Sequence, residues 1–172
     1  MTPEEQRVIE YLISQGEKYP FKQLWIRAIA ARLELIKEVS DVSQNQADFS
    51  FHKDEWAISE ILEHVINSTS RVTDLISDLT SGGIGDSSDI DPPRELSHSN
   101  IDELRRQILE GAFKWTAMTD NLPDTPNMEN NSDHGFFGDL HAGGWYMFQR
   151  VHDLDHLNQI RNNKSHADYP NN

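Results

Sequence analysis

The chain has 172 residues, enough for one domain around a single core. It carries 15 Lys and Arg against 29 Asp and Glu, a formal charge of -14. This balance argues against nucleic acid and anionic membrane surfaces as partners, because phosphate binding is driven by cationic side chains. Cysteine is absent, which excludes disulfides, thiolate zinc sites and a cysteine nucleophile. With no signal peptide and no apolar run near the roughly 18 residues of a membrane span, the chain reads as cytoplasmic.

Thr2-Pro3-Glu4-Glu5 has the residues of a capped helix start, and Val8, Ile9, Leu12 and Ile13 continue it as a helical stripe. Gly16 and Pro20 interrupt that stripe, which resumes from Phe21 through Leu24, Trp25, Ala28, Ile36 and Val39. The segment is expected as one long kinked helix, or as a short helix followed by a long one, ending near Ser40. Residues 41–54 are polar and read as loop. A second helical pattern runs from Glu55 to about Leu79, with Ile58, Ile61, Val65, Val72 and Ile76 on one arc. His64 lies at the edge of that arc, where a ligand facing a bundle cavity would sit. A half-buried histidine bonded to a neighbour would sit there equally well.

The connector Ser81 to Pro93 is turn-rich and acidic. It has neither the Lys-Ser/Thr of a phosphate loop nor the glycine and closing glutamate of a calcium loop. Ser99-Asn100-Ile101-Asp102 caps a third pattern carrying Ile101, Leu104, Ile108, Trp115 and Met118 and ending at Asn121-Leu122-Pro123. Residues 123–141 form a long polar loop in which His134, Asp139 and His141 are ligand-type residues without an evident role. His52, His98 and His166 read as ordinary loop or tail residues. The last helix, led by Gly138 to Trp145, carries His152-Asp153-Leu154-Asp155-His156 and ends near Arg161. The domain is expected to span 1–163, with 164–172 a flexible tail.

Histidines four apart share one helix face, the spacing at which a helix offers two imidazoles to one metal ion. A bare HxxxH is met more often in packed or surface histidines than in a metal site. No glutamate follows His152, so the zincin pattern fails. Asp153 and Asp155 point elsewhere and read as supporting or surface groups.

Four amphipathic segments joined by polar loops indicate an all-α four-helix bundle. Trp56-Ala-Ile-Ser-Glu-Ile-Leu-Glu-His64, followed by Gly138-Asp-Leu-His-Ala-Gly-Gly-Trp145 and His152-x3-His156-x2-Gln159-Ile160, resembles the DinB-like superfamily over nearly the whole chain. The resemblance implies an up-down-down-up bundle holding a divalent metal through His64, His152 and His156. Ala57, where serine often follows the tryptophan, and the His141-Ala-Gly-Gly144 lead depart slightly from the common forms. Three neutral imidazoles suit zinc first, then nickel or iron. The resemblance further implies a metal-dependent enzyme acting on a small molecule, a thiol S-transferase using a low-molecular-weight thiol such as bacillithiol or mycothiol. A metal-dependent hydrolase, or a non-catalytic metal-binding bundle serving stress-related interactions, are the alternatives. Members often pair as homodimers. Glu60, one turn from His64, is the first candidate for a base, ahead of Glu63, Asp139, His141 and Gln159. Specificity is expected in the loops at 80–98 and 123–141.

Overall fold

Thr2 opens the first helix as expected: its hydroxyl accepts the Glu5 N–H at 3.2 Å, and the Glu5 carboxylate takes the Thr2 N–H at 2.6 Å. In this computed structural model, which describes residues 2–88, 90, 92–94, 96–97 and 99–171, that helix is α1 (Pro3–Lys18). His98, and Asp89 and Asp91 of the acidic connector, lie outside the described residues. α1 stops at Tyr19, because Pro20 is held extended (φ -65°, ψ 153°) and restricts the residue before it. α2 (Phe21–Glu38) begins directly afterwards, so the segment is two helices of similar length and not one kinked rod.

The polar stretch that follows is not all loop. Ser43 and Gln46 form a capping box over a single turn, α3 (Gln44–Ala47). α4 (Ile58–Thr80) starts three residues later than expected, with Ala57 at its N-cap. α5 (Ile101–Asn121) is capped by the Asn100 side chain, which accepts the Glu103 N–H at 2.9 Å. The second long loop contains a small antiparallel hairpin, β1 (Asn131–Asp133) and β2 (Asp139–His141), with Ser132 opposite Leu140. Gly135 and Gly138, at φ 61° and 71°, turn its tip through backbone space that side chains rarely enter. α6 (Ala142–Ser165) follows at once.

Two apolar clusters fix the helix directions. One gathers Leu24 from the start of α2, Val72 and Leu79 from the end of α4, Met118 from the end of α5 and Trp145 from the start of α6. The other gathers Leu35 from the end of α2, Ile58 from the start of α4, Leu104 from the start of α5 and Ile160 from the end of α6. α2 and α6 therefore run one way and α4 and α5 the other, the up-down-down-up order expected for an all-α bundle. α1 lies antiparallel along α6. Gly16 and Gly143 meet there, and a Cβ built on Gly143 would stand 2.6 Å from the Gly16 carbonyl oxygen. The glycines before Trp145 are thus packing residues that let two backbones touch.

A polar layer separates the two clusters. Arg32 donates to both carboxylate oxygens of Asp153, at 2.9 and 2.8 Å, and to Thr69 Oγ1 at 2.6 Å. Gln149 Nε2 donates to the same carboxylate at 2.8 Å. Arg32 is 4% exposed and Asp153 1%, so this is a bidentate pair in the interior.

At the other end, α6 runs past residue 163 to Ser165, and the segment after it is tied to the bundle where a flexible tail was expected. Tyr169 meets Phe49 edge-on at 5.6 Å, and Gln46 Nε2 donates to the Pro170 carbonyl at 2.8 Å. One docked ring leaves no apolar period for the sequence to show. Asn172 lies outside the described residues. Among the described residues no helix is long and apolar enough to cross a membrane.

The interior ion pair gives the first prediction. Arg32→Ala strands the Asp153 carboxylate and is expected to cost about 3–5 kcal/mol in urea unfolding, whereas the exposed Arg106→Ala should cost under about 1 kcal/mol.

Candidate metal centre

His64 lies near the N-terminal end of α4, and His152 and His156 lie one turn apart on α6. α4 packs on α6 in the opposite direction, which brings the three rings together at mid-bundle. Their exposures are 7%, 9% and 7%. His152 Nε2 is 3.1 Å from His64 Nε2 and 3.1 Å from His156 Nε2, and one nitrogen from each ring falls within 4.8 Å of the others. Burial and the two neighbouring imidazoles hold His152 well below the ordinary histidine pKa, so it is neutral near pH 7.

The spacing fits a transition metal. Nitrogens about 2.0–2.1 Å from a zinc ion stand about 3.3 Å apart at tetrahedral angles and about 2.9 Å apart at right angles. The observed 3.1 Å lies between these. The orientation also fits. Gln159 Oε1 lies 3.0 Å from His156 Nδ1. An amide oxygen only accepts, so that nitrogen is the N–H donor and Nε2 is the lone pair turned toward the other two rings. Trp56 packs edge-on against His64 at 5.2 Å, and Phe148 lies 5.3 Å from His152. The tryptophan that leads the His64 motif is therefore a wall that fixes the ring.

The three histidines line a cleft of about 570 Å³. Trp56, Phe136, Phe137 and Phe148 give it aromatic walls, with Val8 and Val151 beside them. Glu4, Glu5 and Asp155 also line it. The hairpin that carries Phe136 and Phe137 is tied to α6 by Trp145 Nε1, which donates to the Ser132 carbonyl at 3.3 Å. The loop at 123–141 thus reaches the cleft through His134, Phe136 and Phe137. No described residue of 80–98 lines the cleft. The contribution of α1 is legible only after folding, since nothing in Glu4, Glu5 or Val8 marks them beyond an ordinary helix start.

The other candidate residues fall elsewhere. Glu60 is 4% exposed and does not line the cleft. Its carboxylate accepts the Ala57 N–H at 2.7 Å and pairs with Arg94 Nη2 at 2.8 Å. Side chains on a helix tilt toward its N-terminus, so a glutamate in the first turn reaches back to the cap and away from the histidine one turn ahead. This removes the reason for reading it as a base. Glu63 accepts from Ser97 Oγ at 2.6 Å. His141 caps α6: its Nδ1 accepts the N–H groups of Gly143 and Gly144 at 3.1 and 3.2 Å, and burial lowers its pKa. Asp139 is exposed on β2 opposite Asp133. His134 lines the cleft from an aromatic nest, 4.5 Å from Phe148 and 4.7 Å from Phe137, outside the three-histidine convergence. His52 and His166 lie outside it too.

Gln159 and Glu60 should therefore behave differently when removed. Gln159→Ala is expected to weaken zinc binding by about 10–100-fold, read by competition with a chromogenic chelator. Glu60→Ala is expected to lower stability by about 1–3 kcal/mol and leave zinc affinity unchanged.

No curated protein and no solved structure matches the chain. A family model described as the DinB superfamily matches residues 27–160, from α2 to the end of the histidine motif. With its helix order and its three-histidine cluster both in place, the chain belongs to the DinB superfamily.

Proposed function

We propose that this protein is a metal-dependent enzyme that transfers the sulfur of a low-molecular-weight thiol to a small electrophile. One observation carries the reading: three buried imidazole nitrogens converge at the wall of a 570 Å³ cleft instead of being sealed in the core. Three protein ligands leave a position open, the arrangement of catalytic rather than structural zinc. A zinc, nickel or iron ion held there supplies Lewis-acid chemistry, lowering the pKa of a thiol or water beside it.

The chain's own residues do the rest. Burial holds the three rings in place and, with the neighbouring imidazoles, keeps His152 neutral, while Gln159 fixes the tautomer of His156. Trp56, Phe136, Phe137 and Phe148 surround the reacting groups with low-polarity surface that excludes water and favours attack by sulfur over hydrolysis. In the net reaction the thiol proton goes to solvent. The sulfur–carbon bond forms as the bond from carbon to the leaving group breaks, and the leaving group departs with the electron pair. The sequence features that point to the cytoplasm are consistent with a thiol cosubstrate, since such thiols are kept reduced there.

The test begins with metal. The purified chain should carry about one transition-metal ion, and His152→Ala should lose it, as elemental analysis would show. Turnover of an electrophile panel should then require both metal and thiol. Equal turnover without thiol would mark a hydrolase, and a wild-type chain that binds no metal would overturn the reading altogether.

A further inference from the structure

The lining of the cleft is uneven in charge. Its acidic members are Glu4 and Glu5 from α1 and Asp155 from α6, and no Lys or Arg lines it among the described residues. Glu4 and Asp155 are exposed, and Glu5 is half-buried. Two cations of the bundle are committed elsewhere: Arg150 donates to the Tyr11 hydroxyl at 3.3 Å, and Arg94 is paired with Glu60. Trp56, Phe136, Phe137 and Phe148 share the lining with these acidic residues and the histidines. Phe136, at the hairpin tip, is 58% exposed.

We infer that the cleft takes a small molecule with a cationic group next to an apolar body, and that it discriminates against carboxylate-rich or phosphorylated ligands. The inference rests on the reading of this cleft as the reaction site and narrows its substrate class. A divalent ion held by His64, His152 and His156 would be a positive centre in the wall of the cleft. Three carboxylates make the remainder negative. A ligand that matches both offers a soft anionic donor such as a thiolate to the metal and an ammonium to the exposed Glu4 and Asp155. Its apolar link lies along the aromatic faces, which also attract a cation through their ring electrons. A polyanionic thiol meets carboxylates with no basic side chain to receive it. The whole-chain charge of -14 adds to that repulsion at low salt.

A matched pair of probes tests this: 4-(mercaptomethyl)benzylamine and 4-(mercaptomethyl)benzoate, which have the same body and opposite charge. Binding to the cobalt-loaded full chain is followed by the sulfur-to-cobalt absorption band. Their S-methyl thioethers, which cannot present a thiolate, are followed by calorimetry. The amine of each pair is expected to bind at least about tenfold more tightly at low salt, and the ratio should shrink as salt rises. Combining Glu4→Gln with Asp155→Asn, two exposed positions outside the metal ligands, should bring the ratio close to one. Equal binding within the pairs, tighter binding of the benzoates, no binding of any probe, or a ratio unchanged in the double variant would each overturn the inference. If the thiols give no cobalt band while the thioether ratio persists, the thiol reading fails and the charge selectivity stands. If both thiols give the band with equal affinity, the thiol reading stands and the charge selectivity falls.

Discussion

The bidentate pair between Arg32 and Asp153 sets the rotation of α6, and the metal centre follows from that rotation. Successive residues on a helix are turned by about 100°, so a helix whose Asp153 is anchored to α2 must aim His152 at a different neighbour. That neighbour is the face shared with α4, where His64 waits 3.1 Å away. His156, one turn further on, returns to nearly the same direction and joins the pair. Thr69 on α4 and Gln149 on α6 bind to the same cluster, so three helices are referenced to one carboxylate. An apolar substitute could fill that space, but it would not specify the angle of α6 so narrowly. We take this angular specification to be the reason for an interior ion pair whose net contribution to stability is otherwise small.

The bundle supplies the ligands, and parts added to it supply the cleft. α1 is outside the four-helix core and is seated on α6 through the Gly16–Gly143 contact, a fit that only residues without a Cβ permit. The hairpin is seated by Trp145 and by Ser132, whose hydroxyl donates to Ser87 at 2.9 Å. These two additions bring the acidic residues of α1 and the phenylalanine wall. Rigid elements therefore carry the three histidines, while a helix edge and a loop tip line the cleft beside them, a division that would let specificity vary without disturbing a metal held there.

How much of this was legible depends on the range of each interaction. The helix starts at Thr2 and Asn100, the break at Pro20 and the HxxxH face are local, and they read directly from spacing and capping chemistry. The third ligand was legible only through resemblance, because His64 on its own helix lies at the edge of the apolar arc, where a packed histidine would also lie. The rest depends on contacts between residues far apart in the chain. Asp153 looked like a supporting or surface acid because its partner is 121 positions away. Gly143 looked incidental because its reason is Gly16. Glu60 was misjudged for a different cause. Its one-turn spacing from His64 is correct, but spacing alone ignores the backward tilt of helical side chains, and an N-cap alanine with no acceptor of its own hides half of the capping pattern.

The charge arithmetic of the proposed ligand bears also on what three imidazoles without a carboxylate would do to a metal held in so acidic a protein. Three imidazoles do not neutralise a divalent ion, so the centre stays strongly Lewis acidic and draws anions toward its open position. A single carboxylate among the ligands would reduce that pull at the reacting atom. Carboxylates placed along the cleft act differently. On the proposed reading they would favour entry of a cation and oppose indiscriminate anion capture, and solvent screening of the exposed carboxylates would leave most of the charge at the open position. Glu4 and Asp155 are exposed members of the lining and Gln159, not a glutamate, stands behind His156, so on the proposed reading acidity at a bound metal and selectivity for the ligand would rest on different residues.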